Sequence, residues 1–115
     1  VLIYPLWMGT MPALFKAFIE QVFRPGFAMD EQRDRPWSAK LAGRSARVVI
    51  TMGMPAAAYR WFFGAHSLRS LERNILKFCG IKPVRSFLVG MVDDAGGGRH
   101  QRYLDKMRGL GARGQ

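Results

Sequence analysis

Two short stretches of this 115-residue chain combine rings or large apolar side chains with glycines and helix starts, where backbone N–H groups stay open. The first is Pro5, Leu6, Trp7, Met8, Gly9 and Thr10; the second is Thr51, Met52, Gly53, Met54 and Pro55. An apolar wall beside backbone donors is what a planar, partly anionic heterocycle requires. Trp7 alone could equally pack between a strand and a helix, but Pro5 and Pro12-Ala13 flank it and favour a ligand wall. Tyr59 could be a core or interface aromatic beside Trp61, Phe62 and Phe63, a run too apolar to leave in water, and Trp61 and Phe62 read best as an interface. His66, alone at a helix start, would by itself be a cap or a surface group. Cys79 falls on the inward face of its helix, where a thiol behaves as an inert small hydrophobe. His100 follows a glycine run in polar surroundings and reads as solvated.

The elements that must position these residues alternate. Val1 to Tyr4 is an apolar run closed by Pro5, the pattern of a buried parallel strand. Met11, Leu14, Phe15, Phe18, Ile19, Val22 and Phe23 recur at helical spacing, with Thr10 placed to cap and Pro12 in the first turn. Arg24-Pro25-Gly26 stops that helix, and the polar stretch from Asp30 to Arg44 reads as a surface loop. Ala46 to Thr51 is a second strand. Ala57 to Cys79 reads as a helix in two pieces broken near Gly64. Leu68, Leu71, Ile75, Leu76 and Cys79 form its inward stripe, and Gly80 ends it. Val84 to Val92 is a third strand, and Arg99 to Leu110 a polar helix followed by a loose tail over about 109–115. Strands alternating with helices imply a parallel α/β sheet with right-handed crossovers, whose ligands bind outside the carboxyl ends of the strands where strand order reverses.

Composition bounds the rest. The chain is 49% hydrophobic and long enough for one modest core. Its apolar runs are broken before the roughly 18 to 20 residues a membrane span needs, and no basic region of a signal peptide precedes them. One cysteine excludes an internal disulfide, no Cys or His cluster has metal-ligand spacing, and the cytoplasm is the expected compartment. The formal charge of +10 raises nucleic acid as a partner. The basic residues are dispersed, however, apart from Arg33, Arg35, Lys40, Arg44 and Arg47 in one region and Arg99, Arg102, Lys106, Arg108 and Arg113 in another. No nucleic-acid motif accompanies them, and a basic polyanion-binding module is the most distant reading.

Pro5-Leu6-Trp7, then Met11-Pro12-Ala13-Leu14-Phe15-Lys16, Gly26-Phe27-Ala28, Thr51-Met52-Gly53, Tyr59 and Phe78-Cys79-Gly80 together resemble the NAD(P)H dehydrogenase (quinone) family of flavodoxin-like proteins. The resemblance covers nearly the whole chain. It implies a three-layer flavodoxin-like parallel sheet, of which this chain holds only the third to fifth β-α units as the C-terminal portion of a longer domain. The first two strands and their phosphate-binding loop would lie outside it, leaving this portion alone inactive. The family implies FAD or FMN in a homodimeric enzyme that moves a hydride from NAD(P)H through flavin N5 to a quinone. By motif, Pro5, Leu6, Trp7 and Met8 would line the flavin ring, and Thr51 and Gly53 would approach its pyrimidine end. Tyr59 and His66 fall near the pair that stabilises charge developing at flavin N1 and O2. Met52 and Met54-Pro55 depart from the family's second Thr and Gly-rich continuation, and the Tyr59 to His66 spacing is one residue long. Relatives that serve as ancillary subunits of potassium-efflux systems imply a regulatory alternative.

Overall fold

The computed structural model describes residues 1–30, 34, 36, 38–94 and 98–114. Three runs rich in β-branched and aromatic residues pair as a parallel sheet: β1 (Leu2–Pro5), β2 (Ala46–Thr51) and β3 (Val84–Val89). The order is β1-β2-β3, and the register sets Pro5 beside Thr51 and Thr51 beside Val89. The strands therefore finish in one row, and the loops that follow them emerge side by side. No reversal of strand order occurs among the described strands.

Because side chains alternate across a strand, the sheet presents two different faces. Tyr4, Val48 and Ile50 point to one side and are buried with Ile19, Leu68, Leu71, Leu76 and Cys79. Covering each such aliphatic side chain is worth roughly 1.5–3 kcal/mol, so this is the face that holds the fold together. Ile3, Val49 and Val89 point to the other side, where they line a cavity of about 580 Å³ roofed by Tyr103, Leu104 and Met107 of the last helix.

The first helix, α1 (Ala13–Val22), buries Ile19 and rests Phe15 on the Tyr4 ring, with centroids 4.6 Å apart. Leu14 and Phe18, expected on the same inward face, are exposed. They sit one residue round from Phe15 and Ile19, on the shoulder of a stripe wider than the core it meets. The cap also differs from expectation. Pro12 is the N-cap, without a side-chain bond, because Thr10 is held in a turn with Trp7.

The loop before β2 is less superficial than its polarity suggests. Ala28 and Leu41 are buried, and the Leu41 N–H donates to the Cys79 carbonyl at 3.0 Å. Arg33 and Arg35, part of the basic region noted in the sequence, lie outside the described residues.

After β2 the chain forms α2, a π-wound segment (Ala58–Phe62), and breaks at Gly64 and Ala65, both with positive φ. It continues as α3, α-wound over His66–Ser70 and π-wound over Leu71–Lys77. Gly80 closes α3 at φ +95°. Its N–H donates to Lys77 and that of Ile81 to Leu76, the paired bonds of a Schellman end.

Strand β3 stops at Val89 rather than reaching Val92. A Cβ on Gly90 would lie 2.5 Å from the Ala56 nitrogen, and Met91 takes φ +57°, so the chain passes tightly beneath the preceding loop and leaves extended geometry. The last helix, α4 (Arg99–Ala112), runs through Gly109 and Gly111 where a loose tail was expected. Contacts on the sheet side hold it: Tyr103 meets Phe87 edge-on at 5.9 Å, and the Lys106 ammonium sits 4.4 Å above the same ring. His100, read as solvated, is half-buried, with Nε2 2.9 Å from the Val92 carbonyl oxygen. Among the described residues no helix is long and apolar enough to cross a membrane.

Candidate functional site

Three loops meet at the carboxyl end of the sheet, and backbone hydrogen bonds tie them together. The Leu6 N–H donates to the Thr51 carbonyl at 2.7 Å, joining the loop after β1 to the end of β2. Met52 donates to Val89, while Met91 and Val92 donate back to Met54 and Met52, which locks the loop after β3 against the loop after β2.

The first loop is a two-residue reverse turn. Trp7 and Thr10 exchange N–H···O bonds of 2.9 Å in each direction, and Met8 and Gly9 between them have φ +49° and +78°. Positive φ at both central positions is the type I′ turn. Glycine adopts it freely and methionine at a cost of about 1–3 kcal/mol. Such strain in a non-glycine residue persists where surrounding bonds fix it, here the flanking pair. Its outcome is a turn whose tip N–H groups, Met8 and Gly9, make no hydrogen bond among the described residues. Met8 is fully exposed and Trp7 is 62% exposed. Beneath Trp7 lies a cleft of about 500 Å³ bounded by Met8, Met11, Lys16, Ser67 and Ile75.

Of the residues singled out by sequence, Pro5, Leu6, Trp7 and Met8 thus follow one another along this rim, and Thr51 and Gly53 stand beside them. The N–H groups of Gly53 and Met54 also make no hydrogen bond among the described residues. A Cβ on Gly53 would come within 2.6 Å of an Asp93 carboxylate oxygen, so Asp93 could keep this position only above a glycine.

Tyr59 and His66 are placed differently. The Tyr59 ring is 2% exposed, its hydroxyl lies 2.9 Å from Ser67 Oγ, and it accepts the Leu68 N–H at 3.2 Å. It therefore ties α2 to the first turn of α3. His66 is exposed at the start of α3, with its ring beside Gly64. One residue is buried and the other faces solvent, so they do not share a surface as they stand.

Close to this pair, Tyr4 is buried at the end of β1 with a hydroxyl that completes no hydrogen bond. Burial first, then the nearby Tyr59, push its phenol far above the ordinary range; Ser67 stands close enough to offset part of the rise, but its hydroxyl is bonded to Tyr59 and does not complete a bond to Tyr4. Burial likewise raises the Cys79 thiol. Among the described residues no group of His, Cys, Asp or Glu could hold a metal ion.

Reading the sequence alone missed the loop after β3. Gly90-Met91-Val92-Asp93 occupies the same place after its strand as the two loops that were singled out, and that position was the available signal. Unpaired donors at two rims, an indole wall and a glycine cradle fit the carbonyl-bearing edge of a flat heterocycle.

The flavodoxin-like fold family model matches residues 1–109. The chain belongs to the flavodoxin-like fold family. It is 30% identical over 97 residues to the uncharacterized NAD(P)H oxidoreductase of Haemophilus influenzae, taking in 81% of this chain and 48% of that protein. It is 40% identical over 58 residues to the glutathione-regulated potassium-efflux system ancillary protein KefG of Escherichia coli, half of this chain and 29% of that protein. Among solved structures, Smu.1420 from Streptococcus mutans UA159 superposes with a TM-score of 0.73 at 30% identity, over 90% of this chain and 55% of that one. The NAD(P)H:quinone oxidoreductase from Methanothermobacter marburgensis superposes at 0.74 and 24% identity, over 94% and 52%, a likeness of fold. The chain spans about half the length of that Haemophilus influenzae relative.

Proposed function

We infer that this chain is the C-terminal half of a flavin-dependent NAD(P)H oxidoreductase of the quinone reductase type. The observation that carries the reading is the type I′ turn at Trp7–Thr10, with its free N–H groups, set beside the Thr51–Gly53 loop at the carboxyl edge of a flavodoxin-like sheet. Bound there, FAD or FMN would supply two-electron chemistry, accepting a hydride from NAD(P)H and returning it to a quinone. The chain's own part is positional. Trp7 and Met8 would give the ring an apolar wall, the Met8 and Gly9 N–H groups would be donors to it, and Thr51 and Gly53 would receive the pyrimidine end. His66 is exposed for contact with that end, whereas Tyr59 would act through the Ser67–Leu68 turn it braces unless that turn opens.

Two features support a further half packed on this one. The cavity under α4 is almost wholly apolar, and Val1 and Ile3 are exposed along it. Arg47, which lines the same cavity, has a buried Nε without a partner among the described residues. A covering helix would fill the first and offer the second an acceptor. Trp61 and Phe62, 80% and 84% exposed, are the surface we assign to a homodimer contact in a cytoplasmic enzyme.

The test is direct. The polypeptide read from its whole coding sequence should purify yellow and bleach on addition of NADH or NADPH; a colourless product that leaves reduced nicotinamide unconsumed refutes the reading. The likeness to KefG favours a second reading, an ancillary subunit of a transport system, in which flavin binding persists and a membrane partner co-purifies.

A further inference from the structure

The loop after β3 brings a carboxylate to the rim that the other two loops build. An Asp93 oxygen lies over Gly53, 2.6 Å from where a Cβ would be, a position the carboxylate holds because residue 53 has no side chain. The backbone leading to it is held: Met91 and Val92 donate to Met54 and Met52, and Met91 takes the left-handed φ of +57°. Other carboxylates near the chain's end are engaged, Asp94 with Arg99 at 3.4 Å and Asp105 with Arg108 at 2.7 Å. Asp93 makes no ion pair or hydrogen bond among the described residues. It is exposed and stands next to the Gly53 and Met54 N–H groups, which are equally free. The rim thus offers donors and, immediately beside them, one strong acceptor. An imide edge has the complementary order, with carbonyl oxygens flanking an N–H.

We propose that Asp93 accepts the imide N–H (N3) of the isoalloxazine ring, while the Gly53 and Met54 N–H groups donate to a neighbouring carbonyl, so that Asp93 selects for an unsubstituted imide edge. This rests on the flavin reading above and adds to it a recognition residue and the ligand group it reads. A side chain at Gly53 would displace the acceptor, which gives this position its reason to be glycine.

The probes are lumiflavin and N3-methyllumiflavin, which differ only in that N–H, titrated by fluorescence quenching against the full polypeptide and its Asp93→Ala and Asp93→Asn variants. A hydrogen bond to a charged acceptor corresponds to about tenfold or more in affinity. The unaltered protein should therefore favour lumiflavin by at least about tenfold. Asp93→Ala should erase the preference by weakening lumiflavin alone, and Asp93→Asn, which keeps an acceptor oxygen, should retain part of it. Far-ultraviolet circular dichroism and melting temperature report whether each variant folds. Equal preference in the unaltered protein and Asp93→Ala overturns the role of Asp93 and leaves the flavin reading standing. Failure of the folded, unaltered protein to bind either probe overturns both.

Discussion

Gly53 and Gly90 occupy neighbouring loops and look alike in sequence, yet their surroundings predict opposite behaviour. A Cβ at Gly90 meets the Ala56 nitrogen and the Met54 oxygen, which are backbone and cannot yield. Gly90→Ala should cost about 1–3 kcal/mol, read as a lowered urea midpoint. A Cβ at Gly53 meets only the end of the exposed Asp93 side chain, which can turn away. Gly53→Ala should leave stability within about 0.5 kcal/mol, while weakening flavin affinity.

The buried hydroxyls separate in the same way. Tyr59→Phe leaves Ser67 and the Leu68 N–H without their partner and should cost about 1–3 kcal/mol. Tyr4→Phe removes a hydroxyl that completes no bond, and should be neutral or slightly stabilising at pH 7. Because burial raises the Tyr4 phenol in the folded state, its contribution is fully present below the unfolded phenol value of about 10 and is lost as pH climbs above that toward the folded value. Urea melts above about pH 10 should therefore fall less steeply with pH in Tyr4→Phe than in the unaltered protein.

Among elements, α3 depends most on its ends. Gly80 combines φ +95° with a Cβ position 2.9 Å from the Ala42 nitrogen, so Gly80→Ala meets both backbone strain and a backbone contact. A loss of about 2 kcal/mol or more is expected, with amide exchange rising first in the last turn of α3. Most of the elements were legible because their signals are local: β-branched runs for β2 and β3, helical spacing for α1, a terminal glycine for α3. The boundaries that moved were set by contacts between elements. Thr10 looks like a cap until Trp7 takes its backbone bonds. The end of β3 depends on a loop from earlier in the chain. The glycines near the end of α4 suggest fraying, and the contacts that Tyr103 and Lys106, earlier in the same helix, make with Phe87 keep it in place.

At the scale of the whole molecule, the sheet has one face sealed by its own helices and one that is only partly roofed. The 115-residue chain should therefore bind the dye ANS in the cavity between Val49 and Met107 and unfold over a broad range of denaturant. A polypeptide carrying the additional half proposed above should lose the dye signal and unfold sharply. The homodimer contact proposed above is testable separately. Trp61→Glu with Phe62→Glu should shift the full polypeptide from dimer to monomer in sedimentation velocity without lowering its melting temperature by more than a few degrees, since both side chains are exposed in the chain itself.

The sequence by itself determined the class of fold and the candidate rim, because alternating strands and helices, Pro5-Leu6-Trp7 and Thr51-Met52-Gly53 are written as local patterns of residue type. Only the tertiary structure decided what those residues do to one another. Register brought Pro5 and Thr51 into one row, the exchange of bonds between Trp7 and Thr10 opened the Met8 and Gly9 donors, and packing hid the Tyr59 hydroxyl while leaving His66 outside. Asp93 joins them only because β3 ends beneath the loop after β2. That close approach of two backbones follows from strand order and packing, and neither is encoded in the spacing of Asp93 from any residue it meets.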